Sequence, residues 1–265
     1  MNAHCYLRLH LQRPANTCAL LSLPPLPKTW TDTRCPDWRG TPFQPREDLL
    51  LSHDIVFSQT GPEERANTFS HALGCLLAVV AVPALAHQID PGARPFSHLG
   101  ASIFVATMVL MYVVSTVYHA LPVGGAKRVF RRVDQAAIFV FIAGSFTPFV
   151  LAHVQRGAGV EVMVAVWSLA FAGVTLKLSN RLKSPLLSTG LYLAYGWLMA
   201  AMALPMLAAL PPVPYWFVLA GGASYSLGCV FYLAGHRVPY SHLIWHLFVV
   251  TGSICHFWAV EAISR

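Results

Sequence analysis

Hydrophobic residues occupy most of this chain in long blocks, and the charged residues fall mainly in the short connections between them. A helix needs about 20 predominantly apolar residues to cross the roughly 30 Å hydrocarbon core of a bilayer, and the blocks have this length. A soluble helical protein would instead show narrow apolar stripes opposed by charged faces. The pattern therefore predicts an all-α integral membrane protein.

Seven such blocks predict a bundle of seven transmembrane helices, in which short connections make neighbouring helices antiparallel. The predicted spans are residues 69–87, 99–121, 134–154, 160–178, 186–207, 215–235 and 242–263. Together they define a transmembrane domain at residues 58–265. Residues 1–57 are rich in Pro, Thr, Arg and Asp, and we expect them to form a poorly ordered N-terminal extension.

The composition supports a membrane protein and argues against a nucleic-acid-binding one. Of the 265 residues, 55% are hydrophobic and 11% are charged, whereas soluble domains have about 25% charged residues. The net charge is +7, but the basic residues do not form one patch with interleaved aromatic side chains. Membrane lipids are therefore the expected partners, and no feature of the sequence specifically supports an oligomer.

The basic residues of the connections predict how the bundle is oriented. One side of the membrane receives eight of them, Lys127, Arg128, Arg131, Arg132, Lys177, Arg181, Lys183 and Arg237. The opposite side receives three, Arg94, Arg156 and Arg265. Because Lys and Arg are enriched in cytoplasmic loops, this asymmetry predicts a cytoplasmic N-terminus and an external C-terminus.

The last hydrophobic block carries His242 and His246, four residues apart, so both side chains lie on one face of a helix. This spacing allows one helix to give two nitrogens to a single metal ion. In the predicted orientation, His119 ends the second span at the same depth as this pair. Three imidazoles at one depth predict a zinc site whose fourth position is open to water.

Asp134 and Ser115 lie near the same depth and indicate hydrolytic chemistry. Asp134 begins the predicted third span, where its carboxylate can accept a hydrogen bond from zinc-bound water or from a ligand imidazole. Ser115 lies one turn before His119 and can donate to that water or to a substrate carbonyl. Water activated by a metal beside a carboxylate can hydrolyse an amide or an ester. Structural roles remain open, with Asp134 as a helix cap and His119 as an interfacial side chain.

Glu64, Asn67 and His71 follow the i, i+3, i+7 spacing of a single helical face in the first span. This face either supplies hydrogen bonds around the metal site or anchors the start of the helix, and the sequence leaves both interpretations open. His256 lies about 15 Å along the last helix from His246 at 1.5 Å per residue. We therefore expect His256 to lie outside the metal site.

Taken together, these motifs resemble the hemolysin III / progestin and adipoQ receptor (PAQR) family, and its bacterial-type branch in particular. The matching motifs, in order, are Glu64-x-x-Asn67-x-x-x-His71, Ser115-x-x-x-His119, Asp134, and His242-x-x-x-His246 with His256 downstream. The resemblance covers about residues 60–262. One departure is Gln135, because many bacterial-type members have a histidine at this position.

The resemblance implies a seven-helix bundle with a cytoplasmic N-terminus, located in the bacterial inner membrane. It also implies a zinc ion held by His119, His242 and His246, with Asp134 in contact with a zinc-bound water. The expected role is in membrane homeostasis, and three hypotheses for it remain open. The protein is a zinc-dependent, ceramidase-like hydrolase of a lipid amide or ester, a non-enzymatic sensor or receptor with structural zinc, or a cytolytic pore. No span carries the repeated polar stripe of a dedicated channel, which disfavours the pore.

Overall fold

The computed structural model describes residues 59–88, 97–152, 159–207 and 212–264. These residues form seven α-helices, α1 (Gly61–Gln88), α2 (Ser97–Ala120), α3 (Gly125–Leu151), α4 (Gly159–Leu178), α5 (Pro185–Leu207), α6 (Pro212–Ala234) and α7 (Ser241–Ser264), with a short 3-10 turn at Gly235–Arg237. No strand occurs in the ranges described, and the predicted all-α helical bundle is confirmed. The predicted N-terminal extension, residues 1–57, lies outside the described residues.

Among the described residues, six helices, α1 to α4, α6 and α7, are long and apolar enough to cross a membrane. The helix α5 has 23 residues, and most of its side chains are apolar. Its tyrosines are used for packing, because Tyr192 donates a hydrogen bond to the backbone carbonyl of Gln135 at 2.9 Å. Tyr195 likewise donates to the carbonyl of Val166 at 2.7 Å. These bonds connect α5 to α3 and α4 and satisfy both hydroxyl groups.

A capping box starts α1 earlier than the hydrophobic pattern predicts. The backbone N–H of Thr60 donates to Glu63 Oε2 at 2.8 Å, and the N–H of Glu63 donates back to Thr60 Oγ1 at 3.4 Å. The predicted span began at Phe69, where the apolar residues begin, and so omitted the two polar turns that this cap stabilises. As a result, Glu64 and Asn67 lie within the helix.

The start of α3 differs most from the prediction. The helix begins at Gly125, nine residues before Asp134. The hydrophobic pattern misses these first turns because they carry basic residues, which it assigns to a loop. Asp134 therefore lies in the helix interior, and its interpretation as an N-terminal cap is wrong, because the residue at that position is Gly124. The helix also continues through Pro148 to Leu151.

The helix α3 lies at the centre of the bundle, and its inward-facing residues are buried along residues 136–150. Glycines allow its neighbours to approach closely. A Cβ at Gly144 would overlap the side chain of Thr107 on α2. A Cβ at Gly173 on α4 would lie 2.5 Å from the ring of Phe139. Small residues at such crossings favour close packing of helices in a membrane.

The candidate metal-binding and catalytic residues lie at one end of the bundle, which we call the site end. It is the end at which α1, α3, α5 and α7 begin and α2, α4 and α6 finish. Here the backbone N–H of Tyr240, a residue with φ of 55°, donates to Glu63 Oε1 at 3.0 Å. The hydroxyl of Ser241 donates to the carbonyl of Gly235 at 2.6 Å. The first bond connects α1 to the residue before α7, and the second holds the turn between α6 and α7.

Candidate metal centre

Three histidines meet at the site end, His119 near the end of α2 and both His242 and His246 in the first turns of α7. Each offers one ring nitrogen, and these three nitrogens lie within 4.8 Å of one another. The ring centroid of His119 lies 5.0 Å from those of both other histidines, which are themselves 4.6 Å apart. Tetrahedral zinc with bonds of about 2.0–2.1 Å holds its ligand nitrogens about 3.4 Å apart. A small inward movement of the rings therefore suffices to bind one ion.

The two nitrogens of His119 have different surroundings. Its Nδ1 lies 2.7 Å from Glu64 Oε2. Its Nε2 is buried and has no hydrogen-bond partner among the described residues. Metal-binding histidines usually donate their second nitrogen to a carboxylate or a carbonyl, which fixes the tautomer. A buried nitrogen without a partner costs about 1–3 kcal/mol, so this arrangement favours a ligand at Nε2.

His246 is held in a similar way by a different residue. Its Nδ1 lies 2.9 Å from Ser70 Oγ. The Ser70 hydroxyl has one hydrogen, which it donates to the backbone carbonyl of Asn67 at 2.8 Å. Ser70 therefore accepts the hydrogen bond from His246 Nδ1–H, and Nε2 of His246 keeps the lone pair that a metal requires.

Lys127 connects three helices at this site. Its Nζ lies 3.0 Å from Glu64 Oε1. The same ammonium group donates to three backbone carbonyls at the end of α2, those of Tyr118 at 3.0 Å, His119 at 3.2 Å and Leu121 at 3.0 Å. Carbonyls at a helix C-terminus lack helical partners and attract cations. Lys127 therefore fixes both the backbone that carries His119 and the carboxylate that contacts its ring.

His71 lies next to the three histidines without joining their group. Its ring stacks on that of His246 with centroids 3.5 Å apart, and it meets the ring of Tyr112 edge-on at 5.2 Å. Neither of its nitrogens has a hydrogen-bond partner in the described part of the chain. Asn67 contributes its backbone carbonyl to Ser70, while its side chain donates to Gln59. Of the three residues predicted on this face, Glu64 contacts a clustered histidine through its side chain, and Asn67 contacts His246 through its backbone.

Asp134 and Ser115 form a pair beside the three histidines. The side chain of Ser115 is buried and hydrogen-bonds the carboxylate of Asp134, which lies within electrostatic range of His119. Both residues line a cavity of about 350 Å³ at the site end, together with His242 and His246. The structure thus brings the predicted carboxylate and hydroxyl to the same cavity as two of the clustered histidines.

A second, apolar cavity of about 100 Å³ lies deeper in the bundle. It shares four wall residues with the polar cavity, Met111, Ile138, Trp245 and Val249. The remaining lining comes mainly from apolar side chains of α3, α5 and α6. The two cavities are therefore neighbours that only a few side chains separate.

His256 lies along the deeper cavity, away from the clustered histidines. It is 5% exposed, and its ring meets that of Tyr225 edge-on at 5.3 Å. A Cβ at Gly221 would lie 2.6 Å from His256 Nε2, so the ring occupies the space above this glycine. The expectation that His256 lies outside the histidine cluster agrees with this position.

Sequence reasoning missed Ser70, Lys127 and the partner of Gln135. Ser70 falls within the apolar block of the predicted first span, although its i+3 spacing from Asn67 places it on the polar side of α1. The charge pattern assigns Lys127 only a role in orienting the bundle in the membrane. Gln135, which departs from the bacterial-type pattern, accepts a hydrogen bond from Lys177 Nζ at 3.0 Å. No spacing rule indicated that pair, because its members lie on different helices.

The fold and the site together define a class of protein, a multi-pass helical membrane protein with a buried group of three histidines that could hold a metal ion. The family follows from sequence comparison. A family model described as "Haemolysin-III related" matches residues 59–257. This chain belongs to that family, which confirms the resemblance.

Similar proteins occur in bacteria and in animals. The chain is 35% identical over 198 residues to "Hemolysin-3 homolog" of Bacillus subtilis (strain 168), covering 75% of this chain and 92% of the relative. It is 31% identical over 198 residues to "Hemolysin-3" of Bacillus cereus, with 75% and 90% covered. Human "Monocyte to macrophage differentiation factor" is 25% identical over 227 residues, with 82% and 93% covered. No solved structure matches this chain significantly.

These findings place the protein in a membrane. Six long apolar helices and membership of the haemolysin-III related family indicate a multi-pass integral membrane protein. A bacterial inner membrane fits the two Bacillus relatives. The cytoplasmic position of the N-terminus stays a prediction from the loop charges.

Proposed function

We propose that this protein is a zinc-dependent intramembrane hydrolase that cleaves an amide or ester bond of a membrane lipid and thereby takes part in membrane homeostasis. The observation that carries this proposal is the convergence of three histidine nitrogens within 4.8 Å. Beside them, Asp134 and Ser115 line the same cavity as His242 and His246.

The donor set fits a catalytic zinc ion. His119, His242 and His246 would hold it, and their three neutral nitrogens match zinc sites that keep one position open. Zinc bound there would polarise a carbonyl oxygen and lower the pKa of a coordinated water. The buried, unpaired Nε2 of His119 supports this assignment, since nothing else in the described residues satisfies that atom.

Asp134 is suited to the role of general base. It is the only carboxylate among the described residues that line the polar cavity. Its hydrogen bond with Ser115 orients it while leaving acceptor capacity for a water proton. Asp134 would accept that proton and pass it to the leaving amine or alcohol, which is the work of one positioned carboxylate in hydrolysis.

The neighbouring apolar cavity supports a lipid as the substrate. Met111, Ile138, Trp245 and Val249 belong to the walls of both cavities. A hydrocarbon chain in the deeper cavity would be buried against apolar side chains, at about 0.8 kcal/mol per CH₂ group. The polar end of such a lipid would then lie in the cavity that contains Asp134 and two of the clustered histidines.

The test uses the purified full-length protein, with zinc content and lipid turnover measured on the same samples. We expect about one zinc per wild-type chain and release of fatty acid from a panel of ceramides and glycerolipids. His246→Ala should lose the zinc and the turnover together. His98→Ala is the matched control, because His98 is exposed at the opposite end of the bundle, and it should retain both.

The possible outcomes distinguish the hypotheses. Turnover that survives the loss of zinc in His246→Ala would refute the hydrolase. A wild-type protein that binds zinc, cleaves no lipid of the panel and still affects membrane state in cells would favour the sensor with structural zinc.

A further inference from the structure

Basic side chains outnumber acidic ones in the wall of the polar cavity. Four of them line it, Arg131 and Arg132 on α3, Lys177 on α4 and Lys183 in the connection between α4 and α5. Asp134 is the only acidic residue among the described lining residues. With four basic groups and one acidic group, this cavity attracts anions and concentrates them near the histidine cluster.

Lys177 adds a buried positive charge to the cavity wall, and its three N–H groups are all donated within the protein. It is 3% exposed, so its ammonium group is largely removed from solvent. Its Nζ donates to three groups, Gln135 Oε1 at 3.0 Å, the Leu182 carbonyl at 3.0 Å and Ser188 Oγ at 2.6 Å. All three acceptors are uncharged. Buried charges are normally paired with an opposite charge, and Arg131 is near enough to Lys177 to repel it.

A capped turn holds the rim of this cavity in place. Two residues after the end of α4, Asn180 adopts the left-handed conformation with φ of 57°. The N–H of Asn180 donates to the carbonyl of Lys177, and the N–H of Arg181 donates to that of Leu176, each at 3.0 Å. This is the hydrogen-bond pattern of a Schellman cap. The turn that leads to Lys183 is therefore fixed by backbone hydrogen bonds.

The role of basic residues in orienting the bundle does not by itself explain why four of them line this cavity. Arg128 and Arg181 are basic residues at the same end of the bundle, and both are exposed, as is Lys183. Neither of them lines the polar cavity. A loop charge that only orients the bundle has no need to face a cavity, whereas Arg132 and Lys183 do face it.

We propose that the basic wall of the polar cavity binds the phosphate group of an anionic lipid and so places the acyl linkage of that lipid beside the histidine cluster. Arginine and lysine form short, charge-assisted hydrogen bonds with phosphate oxygens. The inference rests on the proposed function, because it names the class of lipid that the same site takes. It specifies a phosphate-bearing lipid over a neutral one of equal chain length.

The test compares two double variants that remove the same charge from the same end. Arg132→Gln with Lys183→Gln changes the cavity wall, and Arg128→Gln with Arg181→Gln changes exposed residues outside it. Binding of dioleoyl phosphatidate, dioleoylglycerol and inorganic phosphate to the full-length protein in detergent is measured by native mass spectrometry or by ligand-induced thermal shift. Dioleoylglycerol has the chains without the phosphate, and inorganic phosphate has the anion without the chains.

We expect wild type to bind phosphatidate about tenfold more tightly than dioleoylglycerol, or better. A tenfold difference in affinity corresponds to about 1.4 kcal/mol of binding free energy. The cavity variant should lose that preference, and the surface variant should keep it within about twofold. Equal losses in both variants, or a wild type without the preference, would overturn the proposal. Inorganic phosphate that binds wild type as tightly as phosphatidate does would overturn its assignment to a lipid.

Zinc content measured on the same samples separates this inference from the proposed hydrolysis. Both double variants should retain wild-type zinc, because none of the four residues belongs to the histidine cluster. A wild type without zinc would contradict the proposed function while leaving the phosphatidate comparison interpretable. Thermal unfolding of each variant, measured without ligand, shows whether a lost preference reflects misfolding.

Discussion

His246 and His256 are both buried on α7, at 1% and 5% exposure, yet their surroundings differ. His246 has Ser70 beside its Nδ1 and two further histidines within ligand distance. His256 packs against Tyr225 and lies next to the backbone of Val218, and neither of these residues belongs to the histidine cluster. Burial alone therefore does not identify a metal ligand. The useful sign is a partner that fixes one nitrogen while the other faces further donors.

The same contrast extends to the two cavities that these histidines line. The polar cavity at the site end contains His246, Asp134 and Ser115, whereas the cavity lined by His256 is almost wholly apolar. The helix α7 thus lines two different cavities, a polar one with groups suited to catalysis and an apolar one suited to a hydrocarbon chain.

The largest expected effect is that of Asp134→Asn on lipid turnover. Asparagine keeps the shape of the side chain and its contact with Ser115 but cannot accept a proton from water. We expect turnover to fall by about 10²–10⁴-fold, the usual contribution of a general base, with zinc content unchanged. Fatty-acid release measured alongside metal content checks this.

The control for Asp134 is Glu161→Gln, which neutralises an exposed acid in the first turn of α4. Its turnover should stay within about twofold of wild type, because a surface substitution far from the candidate site has little effect. Similar losses in both variants would show that Asp134 has no specific role.

The next largest effect is on zinc affinity, and it is tested by comparing variants of the adjacent residues Glu64 and Glu63. Glu64 contacts the ring of His119 and also Lys127, so Glu64→Gln weakens the charge that orients this ligand. We expect zinc affinity to fall by about 10–100-fold, as for other carboxylates behind metal ligands. Competition with a chelator of known affinity measures the change.

Glu63→Gln is the matched variant for that comparison. Glu63 bonds to Thr60 and Tyr240 and to none of the three clustered histidines. It should lower thermal stability by weakening the cap of α1 while leaving zinc affinity within about twofold of wild type. Equal effects of the two variants on zinc affinity would mean that Glu64 acts only through the fold.

The smallest effect tests the packing role of His256. A Cβ at Gly221 would lie 2.6 Å from His256 Nε2, so Gly221→Ala forces the ring to move. We expect a destabilisation of about 1–3 kcal/mol from overpacking with zinc content unchanged. Gly222→Ala is the control, because its Cβ would meet Trp197 at an ordinary 3.8 Å. Loss of zinc in Gly221→Ala would show that the two halves of α7 are coupled.

Much of the fold and part of the site could be predicted from the sequence. The number of apolar blocks predicts the number of helices, because each block is long enough to cross the hydrocarbon core of the bilayer as one helix. Alternating helix directions then bring the end of α2 and the start of α7 to one level, which is why His119, His242 and His246 could be grouped. The spacing of four residues on α7 supplied the strongest local signal.

The partners of these histidines could not be predicted, for a physical reason. Contacts such as Ser70 with His246 depend on how each helix is rotated about its own axis. Helices that are apolar on nearly all sides give little indication of that rotation, since no polar face marks the solvent side. The start of α3 was missed for a related reason, because its basic first turns resemble a loop when hydrophobicity alone is considered.

The central claim is that the three histidines bind one zinc ion with an open fourth position. X-ray absorption at the zinc edge of the purified full-length protein tests it most directly, beside metal analysis of His119→Ala. The account predicts one zinc per wild-type chain with three imidazole nitrogens at about 2.0–2.1 Å and one oxygen ligand, and loss of that zinc in the variant. A wild type without zinc, sulfur among the ligands, or an unchanged spectrum in the variant would contradict it.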